Sequence, residues 1–444
     1  MMDTTAYGGS DAGGSFGINS LIAVLTAGAG PLPIVQYNTD TSYAAGIILQ
    51  SQPVQLPPHG SNHDVLSDGK TPRYWLAQAL DGWTNVISNP GSRTLPVGTG
   101  HSFVYVGPKG STNNLPKDAT VVKSPTDLAA VLGRVYTNGT DADLEVTRQL
   151  IAQWTITALD MKTNAPGEAT PAVVVPNAEL LPKTTPPPQV VAEMSFIDYF
   201  TRASALLCSN PPTREDLKLI GPDVRQLGFK LCSNSAPFKN GEMVQNCIPN
   251  DWNSIAADHI EELRLTMSKE NAVNSWVIAP PNIGDFGTDY DLRAVVAKIG
   301  IGANKVEDAL YPSGQRDATN ATLLSNTAYS ITFSSGQLPP HKSESGGFWS
   351  LTYYYAPEVY LAHVEKFAVR SADPLIFADD GSLTVYIQPE APANATLKPN
   401  WLPSSPSDSK EFSVTLRIYV PGEDVLNGGW VPPPIIKATA DPEA

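Results

Sequence analysis

Two carboxylates, a guanidinium and two amides gather within the first hundred residues: Asp40, Asp81, Asn85, Asn89 and Arg93. As a set they suit acid–base work, with Asp40 and Asp81 exchanging a proton and Arg93 holding an anion. The same groups suit the floor of a pocket in which Tyr43, Asn85 and Asn89 touch a polar ligand. Oxygen ligands of this kind fit Ca²⁺ or Mg²⁺, but no loop motif specifies either ion, so no cofactor is predicted. The competing reading is architectural. Arg93 then pairs with Asp81, and the amides bond loop backbone to stiffen one end of a β unit.

Other groups carry weaker chemistry. Trp349, Tyr353, Tyr355, Trp401 and Trp430 could line a ring-stacking groove, of which Trp349 and Trp401 are the residues to test; the alternative is that such rings fill a core. His59, His63 and Asp64 have metal-like spacing but stand in a Pro/Gly loop, with no helix to converge them. Asp289 and Arg293 at i and i+4 read as a helix-stabilising pair. The three cysteines, Cys208, Cys232 and Cys247, allow one disulfide within the chain, and Cys232 with Cys247 brackets a polar loop. No nucleophile elbow, phosphate loop or zinc-binding helix motif is present.

The net charge of −15 disfavours nucleic acid and anionic membranes, both of which need a basic face. No apolar run is long enough to span a bilayer, and the apolar stretch from Ile18 follows acidic residues rather than the cations of an export signal. At 444 residues the chain exceeds one ordinary core, and sparse charge with 40 prolines points to a β-rich, loop-rich protein.

The elements that must position these groups read as follows. Residues 1–15 are Gly- and Ser-rich and read as disordered. Residues 16–160 form a β domain, with strands over Ala44–Leu49, Tyr74–Leu80, Phe103–Val106 and Thr120–Val122. Within it, helical spacing marks Asp127–Tyr136 and Leu144–Ile156. Residues 161–191 are a Pro-rich linker. Residues 192–312 are helical, with capping boxes at Ser195/Asp198 and Thr288/Asp291 and an apolar face through Ala256, Ile260, Leu263 and Met267. In residues 313–444 clean alternation over Leu383–Gln388 and Phe412–Tyr419 predicts antiparallel strands with one face on a core.

Ordered motifs along most of this length resemble a known family. Asn38-Thr39-Asp40-Thr41-Ser42-Tyr43, Leu80-Asp81-Gly82-Trp83-Thr84-Asn85, Asn89-Pro90-Gly91-Ser92-Arg93-Thr94 and Leu132-Gly133-Arg134 are similar to the domain of unknown function 1254. Gly287-Thr288-Asp289-Tyr290, Tyr311-Pro312, Gly347-Phe348-Trp349-Ser350-Leu351-Thr352, Asn400-Trp401-Leu402-Pro403 and Trp430-Val431-Pro432-Pro433-Pro434 are similar to the domain of unknown function 1214. The resemblance implies an N-terminal immunoglobulin-like sandwich, a helical segment and a C-terminal jelly roll, and it implies no established activity. Relatives commonly carry export signals, which implies a periplasmic or secreted setting. The expected function is a non-catalytic module that binds a small polar or aromatic ligand or assembles as a homo-oligomer. The alternative is a hydrolase- or isomerase-type enzyme built on Asp40, Asp81 and Arg93.

Overall fold

A strand buried on one face alternates apolar and polar residues; a strand buried on both faces does not. That difference organises the molecule. The computed structural model describes residues 22–24, 40–49, 54–56, 70–96, 101–159, 166–171, 173–175, 187–226, 238–239, 242–243, 251–355, 366–405 and 409–438. The chain is mainly β, with several sheets and a few helices.

The N-terminal unit has a six-stranded and a five-stranded sheet. At the centre of the first, Leu128–Tyr136 pairs antiparallel with both Thr41–Leu49 and Trp75–Asp81. One face of this sheet, through Trp75, Ala77, Ala79, Val131 and Val135, shares a core with Phe103, Tyr105 and Ile156 of the five-stranded sheet and with Trp154. Gly133 lies against the Trp154 ring, and a Cβ there would stand 2.1 Å from the ring edge. The other face is also covered, so all nine residues of Leu128–Tyr136 and all seven of Trp75–Asp81 are buried.

Several sequence expectations change here. Asp127–Tyr136 is not a helix: Leu128–Tyr136 is the central strand. Burial on both faces makes it apolar throughout, and its spacing mimics a helical stripe. The helix expected over Leu144–Ile156 runs Asp141–Ile151. The Pro-rich stretch expected as a linker contributes Pro166–Pro171 and Val173–Val175, the terminal strands of the two sheets. Edge strands are where sheets tolerate proline, which has no N–H to give a neighbour.

The middle region carries helices Phe196–Leu206, Arg214–Leu219, Gly221–Gln226, Trp252–Glu270 and Tyr290–Ile299. Ser195 caps the first as expected. The cap of the last is Asp289, one residue beyond the expected Thr288, and its carboxylate accepts from Leu292 N. Arg293 donates to the Gly287 carbonyl rather than pairing with Asp289. Asn210 ties this region to the N-terminal unit by accepting from Leu128 N at 2.9 Å. Cys208 is disulfide-bonded, which excludes the Cys232–Cys247 pairing. Cys232 and Cys247 themselves, with His59, His63 and Asp64, lie outside the described residues.

The C-terminal unit pairs a seven-stranded with a four-stranded sheet. Phe348–Tyr355 and Phe412–Tyr419 run antiparallel side by side in the first. Trp349, Leu351, Tyr353, Val414, Leu416 and Ile418 point into a core shared with Ile331, Phe333, Leu383, Val385 and Ile387. The alternate residues, including Phe348, Ser350, Arg417 and Tyr419, point the other way, and they too are buried.

Three outcomes test this packing. Gly133→Ala forces the buried Trp154 ring to move and lowers the unfolding free energy by about 1–3 kcal/mol, measured by denaturant titration; a neutral result refutes the close packing. Asp40→Asn, which removes the buried carboxylate that Arg370 meets in the interior described below, costs about 3–5 kcal/mol. Lys342→Ala, which breaks the exposed Lys342–Glu423 pair, costs less than about 1 kcal/mol in the same assay.

Candidate functional site

The residues singled out from the sequence do not form one pocket. Thr41 pairs with Tyr136 and Asp81 with Ala129, so Asp40 and Asp81 stand near opposite ends of the same strand. Seven residues at about 3.3 Å each separate them by roughly 23 Å, too far to share a proton.

Each group has its own local task. Asp81 Oδ1 accepts from Trp83 N and Asn85 N, both at 2.9 Å, and Oδ2 accepts from Asn85 Nδ2 at 3.1 Å. These bonds close a turn in which Thr84 has a φ of 67°. Burial pushes the Asp81 pKa up, against the pull of the Asn85 and Trp83 hydrogen bonds. Asn85 Oδ1 accepts from Phe286 N at 3.1 Å. The Asn89–Thr94 loop folds back on the Trp75–Asp81 strand, with Ala77 N donating to Pro90 O and Ser92 N to Trp75 O. Gly91 is required there, because a Cβ would stand 2.5 Å from the Trp75 carbonyl.

So anchored, the loop presents Asn89 Nδ2 and Arg93 Nε to Asp308, at 2.6 and 2.8 Å. Arg93 therefore pairs with Asp308, not with Asp81. Asp40 is fully buried; it accepts from Arg370 Nε at 2.9 Å and from the Ser350 hydroxyl. The polar cluster thus works as a row of ties from the N-terminal unit to residues 286, 308, 350 and 370. Trp349 lies in the C-terminal core, its ring 5.8 Å from Phe333. Trp401 is partly buried and donates from Nε1 to Gln388 O at 2.8 Å.

Between the ties, two sheets meet face to face. Tyr74, Leu76 and Tyr136 from one pack against Ala309, Phe348, Tyr419 and Val420 from the other side. Phe348 stacks on Tyr419 with ring centres 4.2 Å apart, and Tyr74 tilts against Tyr419 at 4.9 Å. Two arginines sit in this aromatic layer. Arg417, 2% exposed, donates to Thr352 Oγ1 at 3.0 Å and to the Tyr354 hydroxyl, with the Tyr311 and Tyr354 rings 5.6 and 5.4 Å away. Arg134, 3% exposed, donates to Gln78 Oε1 at 2.6 Å and Gly302 O at 2.9 Å and lies 5.7 Å over the Tyr43 ring. Of the ligand candidates drawn from the sequence, Tyr43 alone reaches this layer.

The buried polar atoms with no hydrogen-bond partner among the described residues include Tyr74 Oη, Arg134 Nε and Asn304 Oδ1. The residues that carry them are linked. The 302–304 loop accepts from Arg134 and Gln78, and Asn304 Nδ2 donates to the Tyr311 hydroxyl at 2.8 Å. Tyr311 and Tyr74 both lie close enough to Arg134 to influence its charge. Buried polar atoms in native proteins are nearly always satisfied, so three on linked residues stand out. Sequence reasoning quoted Arg134 and Tyr311 only as motif letters. The signal available was a charged residue inside a nine-residue apolar strand, which needs a partner.

Among the described residues no group of three or more His, Cys, Asp and Glu is placed to hold a metal ion, and no helix is long and apolar enough to cross a membrane. No curated protein matches the chain. Among solved structures, the VPA0106 protein from Vibrio parahaemolyticus shares the fold, with a TM-score of 0.64 at 18% identity over 92% of each chain. A putative uncharacterized protein from Burkholderia cenocepacia aligns over 95% of this chain and 82% of its own at 12% identity, with a TM-score of 0.42. Residues 19–158 match the family described as protein of unknown function DUF1254, and residues 308–423 match protein of unknown function DUF1214. The Asp308 gripped by Arg93 is thus the first residue of the second match, and the chain belongs to the family that joins these two domains in this order.

Proposed function

We propose that the protein binds a small polar or aromatic organic ligand in the tyrosine–arginine layer between its two β units. The observation that carries this reading is the cluster of unpartnered, buried Tyr74 Oη, Arg134 Nε and Asn304 Oδ1 beside the rings of Tyr43, Tyr311, Phe348 and Tyr419. Rings supply apolar contact and the three polar atoms supply orientation, the usual division of labour in a ligand site. Tyr43 and Tyr311 are only partly buried, which marks the side from which a ligand would arrive.

In this reading the two β units are an immunoglobulin-like sandwich and a jelly roll, in keeping with their paired sheets around one core each. A periplasmic or secreted setting belongs to the same proposal, and the disulfide at Cys208 favours an oxidising compartment.

Tyr74→Phe separates binding from folding. Removing a hydroxyl that has no protein partner leaves stability unchanged or raises it by up to about 1–3 kcal/mol. A ligand found by a melt screen stabilises the native chain by roughly 2.7 kcal/mol at 100 times its dissociation constant. Its affinity falls by a factor of about 5–10 in Tyr74→Phe. If Tyr74→Phe is markedly destabilised, the hydroxyl is structural. If it binds the ligand as tightly as the native chain, the site lies elsewhere.

A further inference from the structure

Resting on that ligand site, we infer that its occupant is an organic carboxylate whose charge faces Arg134. Three guanidiniums tied across or beside the interface each meet a carboxylate, Arg370 with Asp40 at 2.9 Å, Arg93 with Asp308 at 2.8 Å and Arg73 with Asp143 at 2.7 Å, and Arg417 lies within reach of the Asp40 charge. Arg134 differs. Its two bonded nitrogens meet an amide oxygen and a backbone carbonyl, its Nε meets nothing, and no carboxylate pairs with it among the described residues. A guanidinium cannot shed its proton in a protein, so the charge stays, and a buried charge without a counter-ion is costly. The Tyr43 ring offsets part of that cost through its π face. An anion would offset the rest.

The nearby acids are already engaged. Asp308, whose charge reaches Tyr74, is held by Arg93 and Asn89. Asp40, whose charge reaches Tyr419 and Arg417, is held by Arg370 and Ser350. Neither takes up the Arg134 charge, and a cation would be repelled from it.

The unpartnered atoms specify more than the sign of the charge. Arg134 Nε–H and the Tyr74 hydroxyl are two donors, the number a carboxylate's two oxygens can each use once; a phosphate dianion calls for more. The hydroxyl is available as a donor at neutral pH because burial holds the Tyr74 pKa well above its usual value. Burial also raises Tyr311, to about 12, so the second nearby phenol keeps its proton. Asn304 Oδ1 is an acceptor and asks for a donor on the same ligand, such as a hydroxyl or amine. The surrounding side chains include the rings of Tyr43, Tyr311, Phe348 and Tyr419. Together these describe a flat-bodied acid with a polar donor away from its carboxylate.

Matched acids and amides test this directly, because each pair keeps shape and loses charge. The probes are benzoate and benzamide, 4-hydroxybenzoate and 4-hydroxybenzamide, 4-hydroxyphenylacetate and its amide, and inorganic phosphate. Each is titrated calorimetrically into the full chain, into Arg134→Gln and into Arg134→Lys. At least one acid binds about tenfold or more tighter than its amide, the margin a charge-assisted bond holds over a neutral one. Arg134→Gln removes that margin, and Arg134→Lys, which keeps the charge but not the planar fork, retains part of it. Should Arg134→Gln fail to fold, the acid-to-amide ratio in the native chain and in Arg134→Lys still decides the matter. Amides that bind as tightly as acids, an acid whose affinity is unchanged in Arg134→Gln, or phosphate binding tighter than every acid overturns the carboxylate while leaving the ligand site standing. Silence from both members of every pair and from phosphate overturns the carboxylate and counts against the ligand site as well.

Discussion

Everything in this molecule depends on two β-sheets meeting through faces that are neither plainly polar nor plainly greasy. Each sheet spends one face on its own core. The other face carries tyrosines, a phenylalanine and an arginine, and it is covered by the opposite unit. An all-apolar contact would pack with less electrostatic cost, since buried ion pairs rarely outperform well-packed hydrophobic groups. What directional bonds add is register. Arg370 with Asp40, Asn89 and Arg93 with Asp308, and Phe286 with Asn85 are spread along the contact, and a slide of one residue breaks them together.

The same arrangement explains what could be read in the sequence. Leu383–Gln388 was legible because its outward residues alternate and reach solvent; Phe412–Tyr419 was legible by the same alternation, although Arg417 and Tyr419 are buried. Their burial depends on a sheet three hundred residues away, and no local pattern records that. Leu128–Tyr136 read as a helix for a related reason, since covering both faces erases period two. The cluster from Asp40 to Arg93 was correctly noticed as polar groups too dense for a core strand. Its partners were missed because they lie far along the chain: 215 residues for Arg93 with Asp308, 330 for Asp40 with Arg370. Pairing Arg93 with Asp81 was the nearest choice in sequence and not in space.

The candidate site shows the limit most clearly. Its orphan atoms come from the Leu128–Tyr136 strand, the residue before Trp75–Asp81 and the 302–304 loop. Tyr74 and Asn304 are unremarkable where they stand in the sequence, and Arg134 shows there only as a charge in an apolar run. Arg134 becomes informative only when both faces of its strand are known to be covered, and Tyr74 only when the Tyr419 ring is seen against it. A site made by docking two units is written in neither.

The tie between Asp40 and Ser350 spans 310 residues of chain. During synthesis at about 5–20 residues per second, that separation is a delay of roughly 15–60 seconds. Once its last strand is made at Val175, the N-terminal unit has a core on one side of its sheet and Arg134, Tyr136 and Tyr74 on the other, with the residues that cover them still to come. The arginine is hydrated at no cost until the second unit arrives and strips it. Closing the two sheets therefore carries a desolvation cost that the N-terminal unit alone does not have.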